Sequence, residues 1–257
     1  MYRERAARPA GAVVWTRTAG HGPQRVLPDG CTDLIWCDAG SAGELIVAGP
    51  DTVAQLAQAS PGVRFTGLRF APGTGPAVFG VPAHELRDLR VPLDALWPGA
   101  EVRRIIGALE RKSEGGGPGC PAGSPGYPLG GVLEAVALAR LRAAPPPDPL
   151  IAAVAAALAR GAPVAAVAHR AGLSERQLHR RSLAAFGYGP KTLARVLRLN
   201  RALDAARGGM PYAEVAVAAG YADQAHLARE VRALTGVPLG TLVDRPGGPP
   251  RAQPRLG

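Results

Sequence analysis

The 257-residue chain has few cysteines and no long apolar run, and each shortage excludes a class of protein. Three cysteines, Cys31, Cys37 and Cys120, are too few and too odd in number for a disulfide framework. The longest uncharged, helix-like apolar run, 149–159, is far shorter than the roughly 20 residues that span a bilayer. The charged start MYRERAARPA has no apolar segment behind it, so no targeting segment is expected. These features predict a reduced, cytoplasmic protein with no membrane partner.

Acidic residues are also scarce, and the shortage is concentrated towards the C-terminus. The chain carries 30 Lys+Arg against 20 Asp+Glu, a formal net charge of +10. Residues 1–147 hold 15 basic and 13 acidic residues, whereas residues 148–257 hold 15 and 7. Between Arg160 and Arg207, ten basic residues face only two acidic ones, Glu175 and Asp204. A local basic excess of this kind indicates a polyanionic partner.

What is present is a β-patterned half followed by a helical half. Short β-branched or aromatic runs, bounded by Gly, Pro and Asp, predict strands across residues 11–73. The segments GPAVFG, PAHELRDL and PLDALW, each opened by a proline, predict short helical turns. From Pro149 to about Leu242, the spacing of apolar residues predicts helices throughout. The predicted fold class is therefore α+β with two domains.

Composition divides the chain into five segments. Residues 1–112 are predicted to form a β-rich sensor or dimerisation domain that ends in short helical turns. Residues 113–130, rich in Gly and Pro, are predicted to be a flexible insertion. Residues 131–147 are predicted to be a connecting helix followed by a stiff proline linker. Residues 148–243 are then expected to be a helical domain, and residues 244–257 a disordered tail.

The helical half contains an approximate repeat, offset by 48 and then 49 residues. The run VAAVAHRAGL, which begins at Val164, recurs as YAEVAVAAGY from Tyr212, and each copy is followed by one large leucine, Leu178 or Leu227. A small residue for close crossing, a turn built on glycine and a second helix with one apolar anchor are typical of a helix-turn-helix unit. The outer face of the second helix can stay polar because it enters the DNA major groove.

The two units are predicted at 163–186 and 211–235, joined by one helix over 190–207. An 18-residue helix is about 27 Å long. With the lateral offsets of the flanking helices, the two recognition helices are expected about 34 Å apart, which is one turn of B-DNA. The spacing therefore predicts that one chain places two helices in successive major grooves on one side of the duplex.

Residues 148–243 resemble the DNA-binding domain of the AraC/XylS family of transcription regulators. The resemblance lies in VAAVAHRAGLSERQLHRR, GYGPKTLARVLRLNRAL and YAEVAVAAGYADQAHLAREVRALTG. It implies a sequence-specific regulator that binds double-stranded DNA and is not an enzyme. Ser182 and Val231 stand where the family usually has Phe, and PLG replaces the usual TP after the second unit. Phe186 is expected to fill the first gap, with slightly looser packing.

The resemblance also assigns DNA-contacting positions in the two units. The base-facing positions are Arg176, His179, Arg180, Gln224, Ala225 and Arg229. Arginine suits guanine O6 and N7, glutamine suits adenine, and alanine can touch only a thymine methyl. For Arg180, Arg229 and His179 the alternative is contact with phosphate alone. Residues expected to contact phosphate or solvent are Arg170, Arg181, Lys191, Arg195 and Arg198.

Residues 11–112 resemble the small, cupin-related sensor domains attached to some actinobacterial regulators of this family. The resemblance lies in LPDGCTDLIW, VAGPDT, RFAPG and GVPAHELRDLRVPLDALW. Such domains bind an effector or dimerise, which implies an unidentified small-molecule effector and leaves a homodimer and RNA polymerase open as partners. A cupin metal centre needs clustered His and Glu, but His21 and His84 are far apart in sequence, so no metal or cofactor is expected.

The candidates for an effector pocket are Trp15, Trp36 and Cys31, with core packing as the alternative for the tryptophans. Cys31 and Cys37 are about 20 Å apart on an extended strand, too far to bind one ion together. Buried thiols that act as small hydrophobes are the alternative. Two further functions stay open: a constitutive regulator whose N-terminal domain only dimerises, and a thiol- or metal-responsive sensor that uses Cys31. An alkylation-repair fusion needs a Pro-Cys-His-Arg run, and the sequence has none.

Overall fold

The computed structural model describes residues 2–40, 43–114 and 128–243. In these ranges the N-terminal half is an antiparallel sheet with helices on one face, and the C-terminal half consists of helices. The predicted fold class, a β-rich unit followed by a helix-turn-helix unit, is confirmed. None of the described helices is both long and apolar enough to cross a membrane.

The strands form two antiparallel sheets. The larger has the order β1-β2-β7-β4-β5-β8, and the smaller pairs β3 with β6. The strand bounds are β1 Tyr2–Ala6, β2 Val13–Thr18, β3 Gln24–Val26, β4 Thr32–Asp38, β5 Gly43–Ala48, β6 Gln55–Ala57, β7 Arg64–Phe70 and β8 Arg90–Pro92. The sequence predicts β2, β4, β5 and β7. It misses the other four, which are either three residues long or, in β1, mostly charged.

The sheet separates the side chains of neighbouring residues onto two faces. Trp15 and Ile35 both pair with Gly67 and therefore share a face. Trp36 follows Ile35 directly and lies on the opposite face, since successive side chains of a strand alternate. Trp36 is buried in the core under the helices. Trp15 donates from Nε1 to Asp33 Oδ1 at 2.6 Å on the other face. The prediction that Trp15 and Trp36 line one pocket is therefore wrong.

Three helices cover the core face of the large sheet. They are α1 Gly75–Phe79, α2 Gly99–Glu114 and α3 Pro128–Ala143, and two 3₁₀ turns lie at Ala83–Glu85 and Leu93–Ala95. The predicted helical turns after residue 72 correspond to α1 and the two 3₁₀ turns. Helix α2 is not among the elements predicted from the sequence.

The division expected at residue 112 falls inside α2. Leu133 and Ala137 of α3 pack in the same core as the sheet, so α3 belongs to the N-terminal core as well as connecting the halves. At the edges of the predicted insertion, residues 113, 114 and 128–130 are helical. The rest of the insertion, which includes Cys120, and the predicted tail lie outside the described residues.

Seven helices form the described part of the C-terminal half, residues 144–243. They are α4 Pro149–Ala159, α5 Val164–Arg170, α6 Glu175–Phe186, α7 Pro190–Arg207, α8 Tyr212–Ala219, α9 Gln224–Thr235 and α10 Leu239–Val243. One core joins α4, α5 and α6, and a second joins α8, α9 and α10. Helix α7 belongs to both, with Leu193 in the first core and Leu203 in the second. Phe186 is buried in the first core, as expected.

Candidate nucleic-acid interface

The start of α6 is fixed by a reciprocal cap. The Ser174 hydroxyl accepts the Gln177 backbone N–H at 3.2 Å, and Gln177 Oε1 accepts the Ser174 N–H at 2.9 Å. This capping box satisfies two backbone donors that the first turn leaves open. Gly172, with φ 63°, makes the preceding turn in the left-handed region. Leu178 is 1% exposed and anchors the helix. The outer face of α6 is thus held away from the core.

The start of α9 is capped in a different way. The Asp223 carboxylate accepts the His226 backbone N–H at 2.6 Å, and His226 Nδ1 accepts the Ala222 N–H at 3.3 Å. The His226 ring also lies edge-on to the Tyr221 ring. Gly220, with φ 82°, supplies the matching turn. The two units therefore present two recognition helices whose starts are fixed locally.

Most side chains predicted to face bases are open to solvent. Arg176 and Arg180 are exposed on α6, and Gln224, Ala225 and Arg229 are exposed on α9. Within the parts of the chain that the structure describes, the three arginines form no ion pair. Their guanidinium groups are therefore available to an external acceptor.

His179 has a different environment from the neighbouring arginines. A Cβ built on Gly189 would lie 2.7 Å from His179 Nε2, so the imidazole lies against the backbone at the start of α7. This position is on the flank of α6. His179 is nevertheless exposed, as Arg176 and Arg180 are, and its base contact stays a prediction.

The residues predicted to contact phosphate divide into free and paired cations. Arg170 and Lys191 are exposed. Arg181 Nη1 lies 3.5 Å from Asp148 Oδ2, and both side chains are about half exposed. Surface pairs of this kind contribute roughly 0–1 kcal/mol, so Arg181 can exchange its partner for phosphate. Arg198 lies 4.7 Å over the Tyr221 ring centroid.

Arg195 needs a correction. Its Nε and Nη2 donate to the two carboxylate oxygens of Glu230 at 3.1 and 3.0 Å. The two-bond geometry holds the guanidinium between α7 and α9, because both donors of the fork are aligned with the carboxylate. Arg195, expected to contact phosphate or solvent, is thus paired with Glu230 in the structure.

Arg201 is a structural cation that the sequence analysis misses. Its Nη1 donates to the Ala159 carbonyl at 2.5 Å, and its Nη2 donates to the Ala219 carbonyl at 3.1 Å. These carbonyls end α4 and α8, so one side chain on α7 ties α4, in the first helical core, to α8, in the second. Burial lowers the pKa of Arg201, but arginine stays charged in proteins. Its i, i+3 spacing from Arg198 is the only sequence signal of a shared face.

The N-terminal half contacts the C-terminal end of α6. A Cβ built on Gly187, which ends α6, would lie 2.6 Å from Pro50 Cγ. A Cβ built on Gly30 would lie 3.1 Å from Leu193 Cδ1 and 3.5 Å from the Tyr188 hydroxyl. These close approaches show that the loop after the first recognition helix packs directly on the β-rich half.

The same half also contacts the C-terminal end of α9. Arg25 Nη1 donates to the Thr235 carbonyl at 2.7 Å, and the Ala54 N–H donates to the Leu234 carbonyl at 2.8 Å. Leu27 is buried in the core of the second unit. The β-rich half thus contacts both recognition helices at their C-terminal ends, away from the N-terminal caps described above.

A buried polar cluster lies where the two halves meet. Arg69 Nε is 3.4 Å from Asp29 Oδ2 and 3.3 Å from Asp33 Oδ1. Burial raises the pKa of Asp33, although the charge of Arg69 opposes the shift. Burial, reinforced by Asp29, raises the pKa of Tyr188 well above its ordinary value. The Tyr188 hydroxyl comes from the helical half, and among the described residues no group hydrogen-bonds to it.

The environments of Cys31 and Cys37 differ in burial and in neighbouring charge. Cys31 is 5% exposed, and its Sγ lies 3.9 Å from the Asp29 carbonyl oxygen. Burial, with Glu44 and Asp38 nearby, raises the pKa of Cys37, which disfavours its thiolate. In the described ranges no group of three or more His, Cys, Asp or Glu side chains is arranged to hold a metal ion.

Two family models match separate parts of the chain. Residues 167–245 match a helix-turn-helix domain. Residues 12–92 match a domain of unknown function, DUF6597. No curated protein matches the chain.

Solved structures of ToxT from Vibrio cholerae resemble the chain weakly. An apo form from strain SCE256 is 10% identical, covers 93% of this chain and 98% of its own, and has a TM-score of 0.47. ToxT from strain O395 is 11% identical over 95% and 99%, with a TM-score of 0.46. A form bound to an unsaturated fatty acid is 11% identical over 93% and 96%, with a TM-score of 0.44.

The two capped units and their matched family model define a DNA-binding transcription regulator with a β-rich N-terminal half. Its helix-turn-helix domain is of the AraC type, which confirms the resemblance seen in the sequence.

Proposed function

We propose that the chain reads one face of double-stranded DNA with α6 and α9 in two successive major grooves. In this function Arg176 and Arg180 contact bases in one groove, and Gln224, Ala225 and Arg229 contact bases in the next. Arg170, Arg181, Lys191 and Arg198 contact phosphates. Protein–DNA interfaces use phosphate contacts for position and base contacts for sequence.

The observation that carries this proposal is the free, exposed state of the three arginines on two capped recognition helices. Helix α7 contains 18 residues and spans about 27 Å, which separates the two units along the duplex. The locally fixed helix starts support specific reading, because a site held in place loses less freedom on binding.

We further propose that the β-rich half senses a small-molecule effector and passes the signal through its contacts with α6 and α9. The cupin relationship, the cytoplasmic location and the actinobacterial origin belong to this proposal too, as do a homodimer and contact with RNA polymerase. No enzymatic step is part of the proposed function, and no cofactor is needed for it.

The proposal predicts a specific defect for Arg176→Ala. A binding site is first recovered by selection of the purified full chain on random-sequence duplexes. Affinity for that site and for an unselected duplex is then measured by fluorescence anisotropy. Loss of a bidentate guanine contact is expected to cost about 1–3 kcal/mol on the selected site and little on the unselected duplex.

The matched control is Arg103→Ala, which removes another exposed arginine, from α2 in the other half. It is expected to leave both affinities unchanged. Equal losses of Arg176→Ala on selected and unselected DNA would mean that α6 reads no base through this residue. If the wild-type chain binds no duplex, the proposed function itself is wrong.

A constitutive regulator whose N-terminal half only dimerises is the second candidate. It is favoured by the separation of Trp15 and Trp36 onto opposite faces of the sheet, which removes the pocket expected from sequence. A thermal-shift screen of the full chain against small metabolites separates the two candidates, because only an effector-binding chain is stabilised by a ligand.

A further inference from the structure

A basic groove lies between the two helix-turn-helix units. It has a volume of about 470 Å³ and is bounded by the turn from α4 to α5, by one face of α7 and by the end of α8. The cations that line it are Arg160, Lys191, Arg195, Arg198 and Arg201. Arg160 and Arg201 are absent from the set that the sequence predicts to contact DNA.

The five cations have different roles in the groove. Arg201 and Arg198 are bound to backbone carbonyls, at the ends of α4 and α8 and at Gly220. Arg195 is paired with Glu230, which is the acidic side chain bonded to a lining cation among the described residues. Arg160 and Lys191 are exposed, and in the described ranges their side chains form no ion pair. The groove therefore keeps a net positive charge and offers two free cations at its mouth.

The groove opens on the side of α7 that the β-rich half leaves uncovered. Leu193 packs against Gly30 of that half. At 100° per residue, Leu193 lies about 160° around the helix from both Lys191 and Arg195. The cationic face and the covered face are thus nearly opposite, and the cationic face remains accessible between the two units.

We propose that this groove binds the phosphate backbone that crosses between the two major grooves, with Arg160 and Lys191 as the contacting cations. The inference rests on the proposed function. Two successive major grooves on one side of a duplex are separated by a minor groove about 6 Å wide with phosphates along both edges. The groove lies between the two helix-turn-helix units, at the turn before α5 and beside Gly220 in the turn before α9, and we place those edges there. Its exposed cationic side chains suit phosphates, which need charge and not a shaped apolar pocket.

The test compares two double variants of the full chain on the selected duplex. One is Arg160→Ala with Lys191→Ala, and the matched control is Arg103→Ala with Arg104→Ala, which removes the same charge from exposed positions of α2. Each phosphate contact contributes about −0.9 to the slope of log affinity against log salt. The groove variant is expected to flatten the slope by about 1.8, and the control is expected to keep the wild-type slope.

A second arm locates the contact on the DNA. Duplexes with uncharged methylphosphonate linkages in the spacer between the two half-sites should bind the wild type more weakly. The groove variant should bind these duplexes and the unmodified duplex with equal affinity, because its contact with the spacer phosphates is already lost. The proposal is overturned if the groove and control variants share one slope, or if the neutral linkages weaken both proteins equally.

A third arm uses sodium triphosphate alone, titrated calorimetrically into the wild type. Binding that disappears in the groove variant, while the DNA slope stays unchanged, would assign the groove to a free phosphate compound and overturn the proposal. If the wild type binds no duplex at any salt concentration, the proposed function fails, and the inference fails with it. If the wild type binds DNA and the groove variant has the same salt slope as the wild type, the inference is refuted and the proposed function is not.

Discussion

Tyr188 shows how one residue couples the two halves. Its ring is buried in the core of the first helix-turn-helix unit, and its hydroxyl approaches Gly30 of the β-rich half. Among the described residues this hydroxyl has no hydrogen-bond partner. A hydroxyl buried without a partner costs roughly 1–3 kcal/mol relative to its hydrated state. The ring therefore stabilises the contact between the halves, while the hydroxyl opposes it.

We predict that Tyr188→Phe preserves or raises the stability of the full chain, by up to about 1 kcal/mol, because it removes the unpaired hydroxyl and keeps the ring. Urea unfolding at neutral pH measures the change. The comparison variant, Tyr188→Ala, removes the ring as well and is expected to cost about 3–5 kcal/mol. A clear loss of stability in Tyr188→Phe would show that the hydroxyl has a bonding partner in solution.

At the scale of elements, β1 and the turn after it are stabilised by ion pairs of Arg5 and Arg8 with Glu134. Glu134 of α3 is buried, and its Oε1 accepts Arg5 Nη1 at 2.7 Å and the Arg8 backbone N–H at 2.9 Å. Oε2 accepts two more bonds, from Arg8 Nε at 3.1 Å and from Arg5 Nη2 at 3.3 Å. One carboxylate thus fixes an edge strand and the turn after it to a helix that lies far along the chain.

We predict that Glu134→Gln lowers the free energy of unfolding by about 1–3 kcal/mol at neutral pH. Burial opposes ionisation of Glu134, but hydrogen bonds from Arg5 and Arg8 outweigh it and hold its pKa below the usual range. A depressed pKa adds stability that is complete above the unfolded value of about 4.3 and is lost as the pH falls through the folded value. The wild type should therefore lose its advantage in acid.

Thermal unfolding of wild type and Glu134→Gln from pH 7 down to about pH 3 checks this prediction. Glu110→Gln on α2 is the control, because this carboxylate is exposed. A gap between wild type and Glu134→Gln that stays constant over the whole pH range would contradict the assigned charge.

The sequence predicts some elements better than others for physical reasons. The helices from α5 to α9 have local start and stop signals, such as Ser174 and Gly187. The outer bounds given for the two units, 163–186 and 211–235, and for the joining helix, 190–207, lie within a residue of the helix ends in the structure. Strand β1 alternates Arg and Glu and shows no apolar face. Helix α2 carries the helical spacing Val102, Ile105 and Leu109, a signal that the sequence analysis did not use.

At the scale of the whole molecule, the sequence gives no signal of how the two halves meet. Arg25 and Thr235 are 210 residues apart, and their hydrogen bond depends on the complete fold. The pairing of Arg195 with Glu230 has the same origin. Local patterns determine which helices form, whereas contacts between distant segments determine which cations remain free and which ends of α6 and α9 are held.

Because the β-rich half holds the ends of both recognition helices, it also helps to fix the distance between them. A regulator with a fixed distance should bind poorly when the spacer between its half-sites is lengthened.

Arg25→Ala removes the bond to the Thr235 carbonyl at the end of α9 and should loosen that helix relative to α6. We predict that the preference for the selected spacing over a spacing one base pair longer falls by about 2–10-fold, which corresponds to one hydrogen bond of roughly 0.5–1.5 kcal/mol. Competition binding with the two duplexes measures the preference. Arg104→Ala, on the exposed surface of α2, should leave it unchanged. If Arg25→Ala weakens binding to both duplexes by the same factor, the β-rich half contributes to affinity but does not set the spacing of the recognition helices.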